Sequence, residues 1–149
     1  MPDSPVIPDV MLAKAAAKVP AADALPGGCS YEPKWDGFRV LVVRGAATDP
    51  ATAVGEGDDA VDLLGRSGKS LARYFPEVVE KVRAVPAPAI VDGELVVRSG
   101  EPGAERLDWD ALAQRIHPAA SRIERLAAET PGEVICFDLL ADAGGSLLE

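Results

Sequence analysis

The chain has 149 residues, a net charge of −9 and a pI of about 4.6, which is enough for one compact domain and too little for two full ones. With 48% hydrophobic and 26% charged residues it is not a disordered chain, and no apolar run reaches the length of a membrane span. The acidic balance argues against a protein held on nucleic acid by phosphate contacts alone, since that affinity needs clustered Lys and Arg. The start Met1-Pro2-Asp3-Ser4-Pro5 lacks the basic and apolar stretches of a signal peptide. Cys29 and Cys136 form neither a disulfide framework nor a zinc spacing, so a reduced intracellular protein is the simplest reading.

In chain order, Val10 to Val19 is rich in Ala and Lys and is read as a short helix. Phe38 to Val43 is β-branched enough for a strand. Gly45 to Asp59, rich in Gly, Ala and Asp, reads as a flexible loop, and Val61 to Leu64 as the returning strand. Pro76 suits the first turn of a helix, with Val78, Val79, Val82 and Val85 as its apolar face. Ala89 to Val97 is another strand. Asp108 is an N-cap for a helix over Trp109 to Ile116, stopped by His117-Pro118. Ala119 to Ala128 is amphipathic, and Val134 to Leu140 is a last strand. Mixed strands and helices without regular β-α-β alternation predict an α+β fold with largely antiparallel sheets.

Charge is uneven along this plan. Asp49 to Asp62 holds five acidic residues and no basic one, while Arg115, Arg122 and Arg125 lie close together downstream. Those arginines fit phosphate contacts or solvated helix faces equally well. Gly65 to Ser70 ends Gly-Lys-Ser, but Leu63 stands where a P-loop needs its first glycine. His117, the single histidine, supports no histidine-based metal cluster or triad and reads as a helix terminator.

The sharpest feature is Tyr31-Glu32-Pro33-Lys34-Trp35-Asp36-Gly37-Phe38-Arg39, which contains K-x-D-G-x-R. A lysine attacks an α-phosphate only as the neutral amine, so its reference pKa of about 10.4 must be lowered by burial or positive charge. Trp35 and Phe38 would supply the burial, and Arg39 the charge and a phosphate contact. If the segment is extended, Glu32, Lys34 and Asp36 share one face. Gly37 lets the backbone come close to a ligand or turn sharply. Alone, the motif also fits a strand entry with a surface Lys-Asp pair and a buried Trp.

Three further segments follow: Leu64-Gly65-Arg66-Ser67-Gly68-Lys69-Ser70 with Arg73-Tyr74-Phe75-Pro76-Glu77, then Val91-Asp92-Gly93-Glu94-Leu95, then Phe137-Asp138-Leu139-Leu140. In this order and spacing they resemble the ATP-dependent DNA ligases of the covalent nucleotidyltransferase superfamily, closest to the short bacterial type. Pro8 to Ala13 and Asp108 to Pro118 look similar to that group too, and the resemblance covers nearly everything except the Gly45–Asp59 loop.

The resemblance implies that Lys34 is the catalytic lysine that takes AMP from ATP, that Glu32 helps recognise adenine, and that Arg39 contacts the nucleotide sugar or phosphates. It implies a phosphate contact for Arg66, whose usual Ser neighbour is Gly65 here; a solvated turn arginine is the alternative. Glu94 would contact the ribose or a divalent metal, Mg2+ or Mn2+. Asp92 shares its strand parity, so the pair would suit a hard cation, or else both are exposed strand charges. Phe137 would stack on adenine, or else belong to the core. Asp138, on the opposite strand face by strict alternation, carries less weight.

The same resemblance predicts the N-terminal part, residues 1–149, of a nucleotidyltransferase (adenylation) domain of the DNA-ligase/ATP-grasp-like type, with no OB-fold. Only 33 residues precede Lys34, so no nicotinamide-recognition domain is expected and ATP is the donor. Nicked double-stranded DNA is the expected partner, with no membrane and with a cytoplasmic, bacterial, nucleoid-associated location. The Glu-Gly and lysine motifs that normally follow are expected to lie outside this chain, in a separate chain if anywhere. An inactive nucleotide-binding module and an RNA ligase of the same superfamily are the alternatives.

Overall fold

The computed structural model describes residues 6–148; the signal-peptide reading of Met1 to Pro5 and the chain end at Glu149 lie outside them. One antiparallel sheet organises the chain. Its strands are β1 (Phe38–Arg44), β2 (Val61–Gly65), β3 (Ala89–Ser99), β4 (Arg106–Leu107), β5 (Gly132–Asp142) and β6 (Gly145–Ser146). They run in the order β2-β1-β3-β5-β6, with β4 paired to the end of β3. The helices are α1 (Pro76–Val82), α2 (Trp109–Gln114) and α3 (Ala120–Glu129). The expected α+β class with antiparallel pairing is what the structure has.

β1 reads Phe-Arg-Val-Leu-Val-Val-Arg because its middle is covered on both faces. Val40, Leu41, Val42 and Val43 are all buried, and a strand buried on both sides needs a continuous apolar run rather than alternation. On one face, Val40, Val42, Leu63, Leu95 and Val97 pack against Phe75, Val78, Val79, Val82 and Leu112. On the other, the cluster is small: Leu41, Val43, Ile90 and Ala141, capped by Ile7, Val10 and Leu140. Fully burying a side chain of this size contributes roughly 1.5–3 kcal/mol, so the helix-covered face supplies most of the stabilisation. The thinner face is free to carry polar groups.

Several expectations need correction. Val10 to Val19 is not helical. Met11, Leu12 and Val19 are exposed, so no apolar stripe docks the segment, and a short undocked helix is marginal in water. Gly45 to Asp59 holds no α-helix or named strand, in keeping with a loop, but it carries local structure. It makes two short 3-10 turns and a bridge from Val54 to Val61. The buried Asp62 carboxylate accepts from Thr52 Oγ1 at 2.5 Å and from Ser70 Oγ, which ties that loop to the turn after β2. Val85 lies beyond α1 and is exposed. β4 and β6 had no sequence signal at two residues each. The Asp108 cap is as expected: its carboxylate accepts from Ala111 N–H at 2.9 Å, which lowers its pKa. No helix among the described residues is long and apolar enough to cross a membrane.

The three downstream arginines separate. Arg122 and Arg125 are exposed on α3, whereas Arg115 has a side-chain exposure of 0%. Arg115 donates to Glu77 at 2.7 and 3.1 Å, to the Tyr74 carbonyl at 2.6 Å and to the Thr130 carbonyl at 2.7 Å. Its guanidinium lies 4.4 Å from the Phe75 ring centroid. The phosphate-contact reading of Arg115 is thereby replaced by a structural one.

Removing one member of a buried ion pair costs about 3–5 kcal/mol. Arg115→Ala is expected to lower the urea unfolding midpoint by that equivalent or to prevent folding. Arg125→Ala, which loses only an exposed pair with Glu129, is expected to stay within about 0.5 kcal/mol of the parent. Equal midpoints for the two variants would contradict this account.

Candidate active site

The K-x-D-G-x-R segment enters the sheet through Gly37. Residues 31 to 36 have no regular structure, and β1 begins at Phe38. Gly37 N–H donates to Glu94 Oε1 at 3.1 Å, and a Cβ on Gly37 would collide with the Leu95 carbonyl oxygen. The motif glycine is therefore set by close approach to β3 within the sheet, a role the sequence reading did not name.

From that anchor, alternation decides direction. Phe38 sits opposite Leu95 and Arg39 opposite Glu94. Phe38 accordingly turns to the helix-covered face, where its ring meets Trp109 edge-on at 5.3 Å. It does not bury Lys34, whose side chain is 88% exposed and donates to Asp36 Oδ1 at 3.1 Å. Glu32 is exposed as well. The expected shared face of Glu32, Lys34 and Asp36 is realised only as the Lys34–Asp36 contact.

Arg39 points to the thin face. It forms a two-toothed pair with Asp92, Nε to Oδ1 at 2.5 Å and Nη2 to Oδ2 at 2.5 Å. That pairing, with Glu94 and Asp138 adding negative field, raises the Arg39 pKa further and fixes its charge. Both Asp92 oxygens thus accept from Arg39, a pairing that the sequence reading of Asp92 with Glu94 did not foresee. Burial pushes the Glu94 carboxyl upward, opposed by the Gly37 N–H and by the charges of Arg39 and Lys34. Lys34 therefore lies within electrostatic reach of Glu94. Among the described residues no three His, Cys, Asp or Glu side chains gather as a metal cage.

Arg66 is exposed in the turn after β2, which closes with Gly68 N–H on the Gly65 carbonyl at 2.8 Å. This is a hairpin-like return and not a phosphate cradle, in keeping with the rejected P-loop. Arg39 and Arg66 line an open hollow of about 450 Å³ together with Glu94, Phe38, Leu71 and Ile116. The same two arginines border a second hollow of about 170 Å³, walled by Ile7 to Val10, Leu41 and Leu64.

Phe137 reaches this region through an irregularity that sequence does not show. β3 and β5 pair Asp92 with Asp138 but Gly93 with Cys136, leaving Phe137 as the extra residue of a bulge. Its ring lies 5.8 Å from the Arg39 guanidinium. Asp138 faces the same side as Asp92, so the strict alternation that set it on the opposite face fails. His117 caps a turn with φ 55° and its Nδ1 lies 2.7 Å from the Tyr74 hydroxyl, a local role in keeping with chain termination of α2.

The structure thus gathers Arg39, Arg66 and Glu94 around one hollow, sets Phe137 against Arg39, and leaves Lys34 and Glu32 exposed and outside its lining. Asp92 as the holder of Arg39 was missed. Its signal was present as an acid two residues before Glu94 on a strand opposite an arginine.

Comparison with known proteins bears on this arrangement. Residues 10–149 match the family model described as ATP dependent DNA ligase domain. The chain is 49% identical over 150 residues to DNA ligase C1 of Mycolicibacterium smegmatis, covering 99% of this chain and 39% of that protein. It is 42% identical over 140 residues to DNA ligase C of Mycobacterium tuberculosis, covering 92% and 33%. It is 36% identical over 141 residues to a DNA ligase of Haloferax volcanii, covering 93% and 21%. The chain therefore spans well under half the length of these relatives. The motifs, their order and the family match agree: the chain belongs to the ATP-dependent DNA ligase domain family.

Proposed function

We propose that this chain carries the lysyl-AMP step of an ATP-dependent DNA ligase and forms the N-terminal part of its adenylation domain. The observation that supports this most is the single hollow bordered by Arg39, Arg66 and Glu94, with the Lys34 loop tied to its wall through Gly37 and Glu94. Lys34, released from Asp36, gives a proton to solvent and attacks the α-phosphate of ATP as the neutral amine. A P–N bond forms, the P–O bond to the β-phosphate breaks, and pyrophosphate leaves. AMP then passes to the 5′-phosphate of a nicked duplex, and the 3′-hydroxyl displaces it to seal the strand.

In this reading Glu32 recognises adenine and Phe137 stacks on the base. Arg39 and Arg66 meet the sugar and phosphates, where fixed cations stabilise developing charge. Glu94 contacts the ribose. Its Oε2 makes no hydrogen bond among the described residues, so Glu94 is also the residue that would hold a Mg2+ or Mn2+ ion carried in on the phosphates. Such an ion takes one or two carboxylates and neutralises charge on the leaving group. Sealing as a whole belongs to the longer form that the relatives represent, or to this chain with a partner chain that supplies the remaining motifs. A DNA substrate places the work in the cytoplasm at the nucleoid.

Incubation with ATP and Mg2+ followed by intact mass measurement is expected to show the chain heavier by one AMP moiety. Lys34→Ala is expected to abolish the adduct. An adduct that survives in Lys34→Ala, or none at any ATP concentration in the parent, would refute the proposal.

Glu94→Gln should separate function from stability. The folded-state carboxyl pKa is raised, so the protonated form is favoured by folding. The carboxylate is therefore a stability cost above that pKa, and the cost fades as pH falls through the carboxylate range. Glu94→Gln keeps an oxygen for Gly37 N–H and is expected to leave the urea midpoint at pH 7 unchanged or raised. Any gain should shrink as the pH is lowered through that range, while the rate of adduct formation drops at least tenfold. A lower midpoint at pH 7 with full adduct formation would reverse both assignments.

A further inference from the structure

Tyr74 is 4% exposed, yet its hydroxyl supports two exposed side chains. The Arg73 guanidinium lies over the Tyr74 ring, 4.6 Å from the centroid, and Nη2–H donates to the Tyr74 hydroxyl oxygen. His117 is mounted on the same oxygen: its Nδ1 lies 2.7 Å away, and the two rings meet edge-on at 5.3 Å. Because that oxygen already accepts from Arg73, its single proton goes to Nδ1, which leaves Nε2 carrying the ring proton. Arg73 and His117 are both exposed. The remaining guanidinium N–H groups and the imidazole Nε2–H are therefore offered from one buried support.

The charge of Arg73 is unspent. Arg39, Arg44, Arg83, Arg98, Arg115 and Arg125 each pair with a carboxylate, whereas Arg73 meets none within ion-pair distance among the described residues. In a chain of net charge −9, an arginine fixed on a ring and held clear of acids is arranged for an anion from outside. Its place narrows which anion. Leu71, two residues before Arg73, and Ile116, immediately before His117, both wall the hollow that Arg66 and Glu94 border, while Arg73 and His117 stand outside its lining. A planar cation beside an N–H donor suits a phosphate, here one at the rim of the hollow and not within it.

We propose that Arg73 and His117, mounted on Tyr74, form a receptor for one backbone phosphate of duplex DNA at the rim of the nucleotide hollow. This rests on the ligase reading, which brings a nicked duplex to Lys34 to receive AMP. Phosphate contacts set the register of a duplex without reading its sequence, so the receptor positions the strand and leaves the chemistry to the hollow.

The test is binding of a fluorescent duplex, nicked once with a 5′-phosphate, to the full 149-residue chain, followed by anisotropy over a range of salt. Arg73→Gln is expected to weaken binding roughly 10-fold at low ionic strength and to reduce the slope of log affinity against log salt by about one. Arg73→Lys is expected to restore the slope and only part of the affinity, because it keeps the charge without the fork. Arg125→Gln, exposed and paired with Glu129, is expected to stay within about twofold of the parent. An Arg73→Gln slope equal to the parent's, or a parent chain that does not bind the duplex at low ionic strength, would overturn the proposal.

A second measurement does not depend on any variant folding. His117 is the single histidine, so its ring resonances in the parent chain need no assignment. They are expected to move as the duplex is added, and to move far less with ATP or inorganic phosphate at the same phosphate concentration. Equal movement with inorganic phosphate would make this a site for a free anion and overturn the DNA assignment. A parent chain that forms the AMP adduct but shows no response to DNA refutes this proposal alone, whereas one that shows neither refutes the ligase reading with it.

Discussion

Arg115 is the point at which the helices become attached to the sheet. A guanidinium with no exposed atom is costly unless its charge is paired and its donors are met. Here the two Nη groups meet Glu77 of α1, the carbonyl of Tyr74 just before α1, and the carbonyl of Thr130 just after α3, while the buried Nε has no partner among the described residues. Glu77 in turn accepts from the backbone of Gly132, where β5 begins, at 2.7 Å. Helices this short gain little from local propensity, so their positions depend on such fixed points and on the apolar layer under them. Once α1 and α2 are set, Phe75, Val78, Val79 and Leu112 can close one face of the sheet.

That closure explains why the charged groups gather on the other face, although the hollow they border is also walled by Phe38, Leu71 and Ile116 of the helix-covered side. With most apolar burial on the helix side, the sheet's opposite side can hold Arg39, Asp92 and Glu94 without loss of the core. The partial burial there keeps water from fully screening the charges, which is why the Arg39–Asp92 pair is tight and why Glu94 feels both Arg39 and Lys34. The strap Ile7 to Val10 covers the same face further along, over Leu41 and Leu64, and leaves the arginines between the two hollows.

Much of this was legible in the residues. The strands at Phe38, Val61, Ala89 and Val134 were visible because β-branched residues cluster between turn formers, and Asp108 announced its helix through a cap that the backbone uses. K-x-D-G-x-R, Gly65-Arg66, Asp92-Gly93-Glu94 and Phe137-Asp138 announced a family because their order is improbable by chance. What sequence could not carry was tertiary. Phe38 looked like a neighbour for Lys34, yet its register opposite Leu95 sends it to the core. Arg115 looked like one of three surface cations, yet Glu77, 38 residues earlier, draws it inside. The Ala-rich stretch after Val10 had helix-forming residues but no surface to dock on.

β5 is the clearest case, because its extra residues are invisible in a linear pattern. A second register shift, between Ile90 and Val91, leaves Leu140 unpaired just as the first leaves Phe137. Leu140 joins the small apolar cluster of the thin face, and Phe137 joins Arg39 on that same face. From Ile135 to Ala141 the strand therefore keeps time in threes instead of twos, and only Cys136 and Leu139 are dealt to the helix side. A strand with an ordinary beat would hand the two surfaces equal shares. This one is biased, and the surplus falls where Arg39 waits. Removing a single residue at Phe137 or beside it would restore alternation across that bulge alone and leave the one at Leu140 in place.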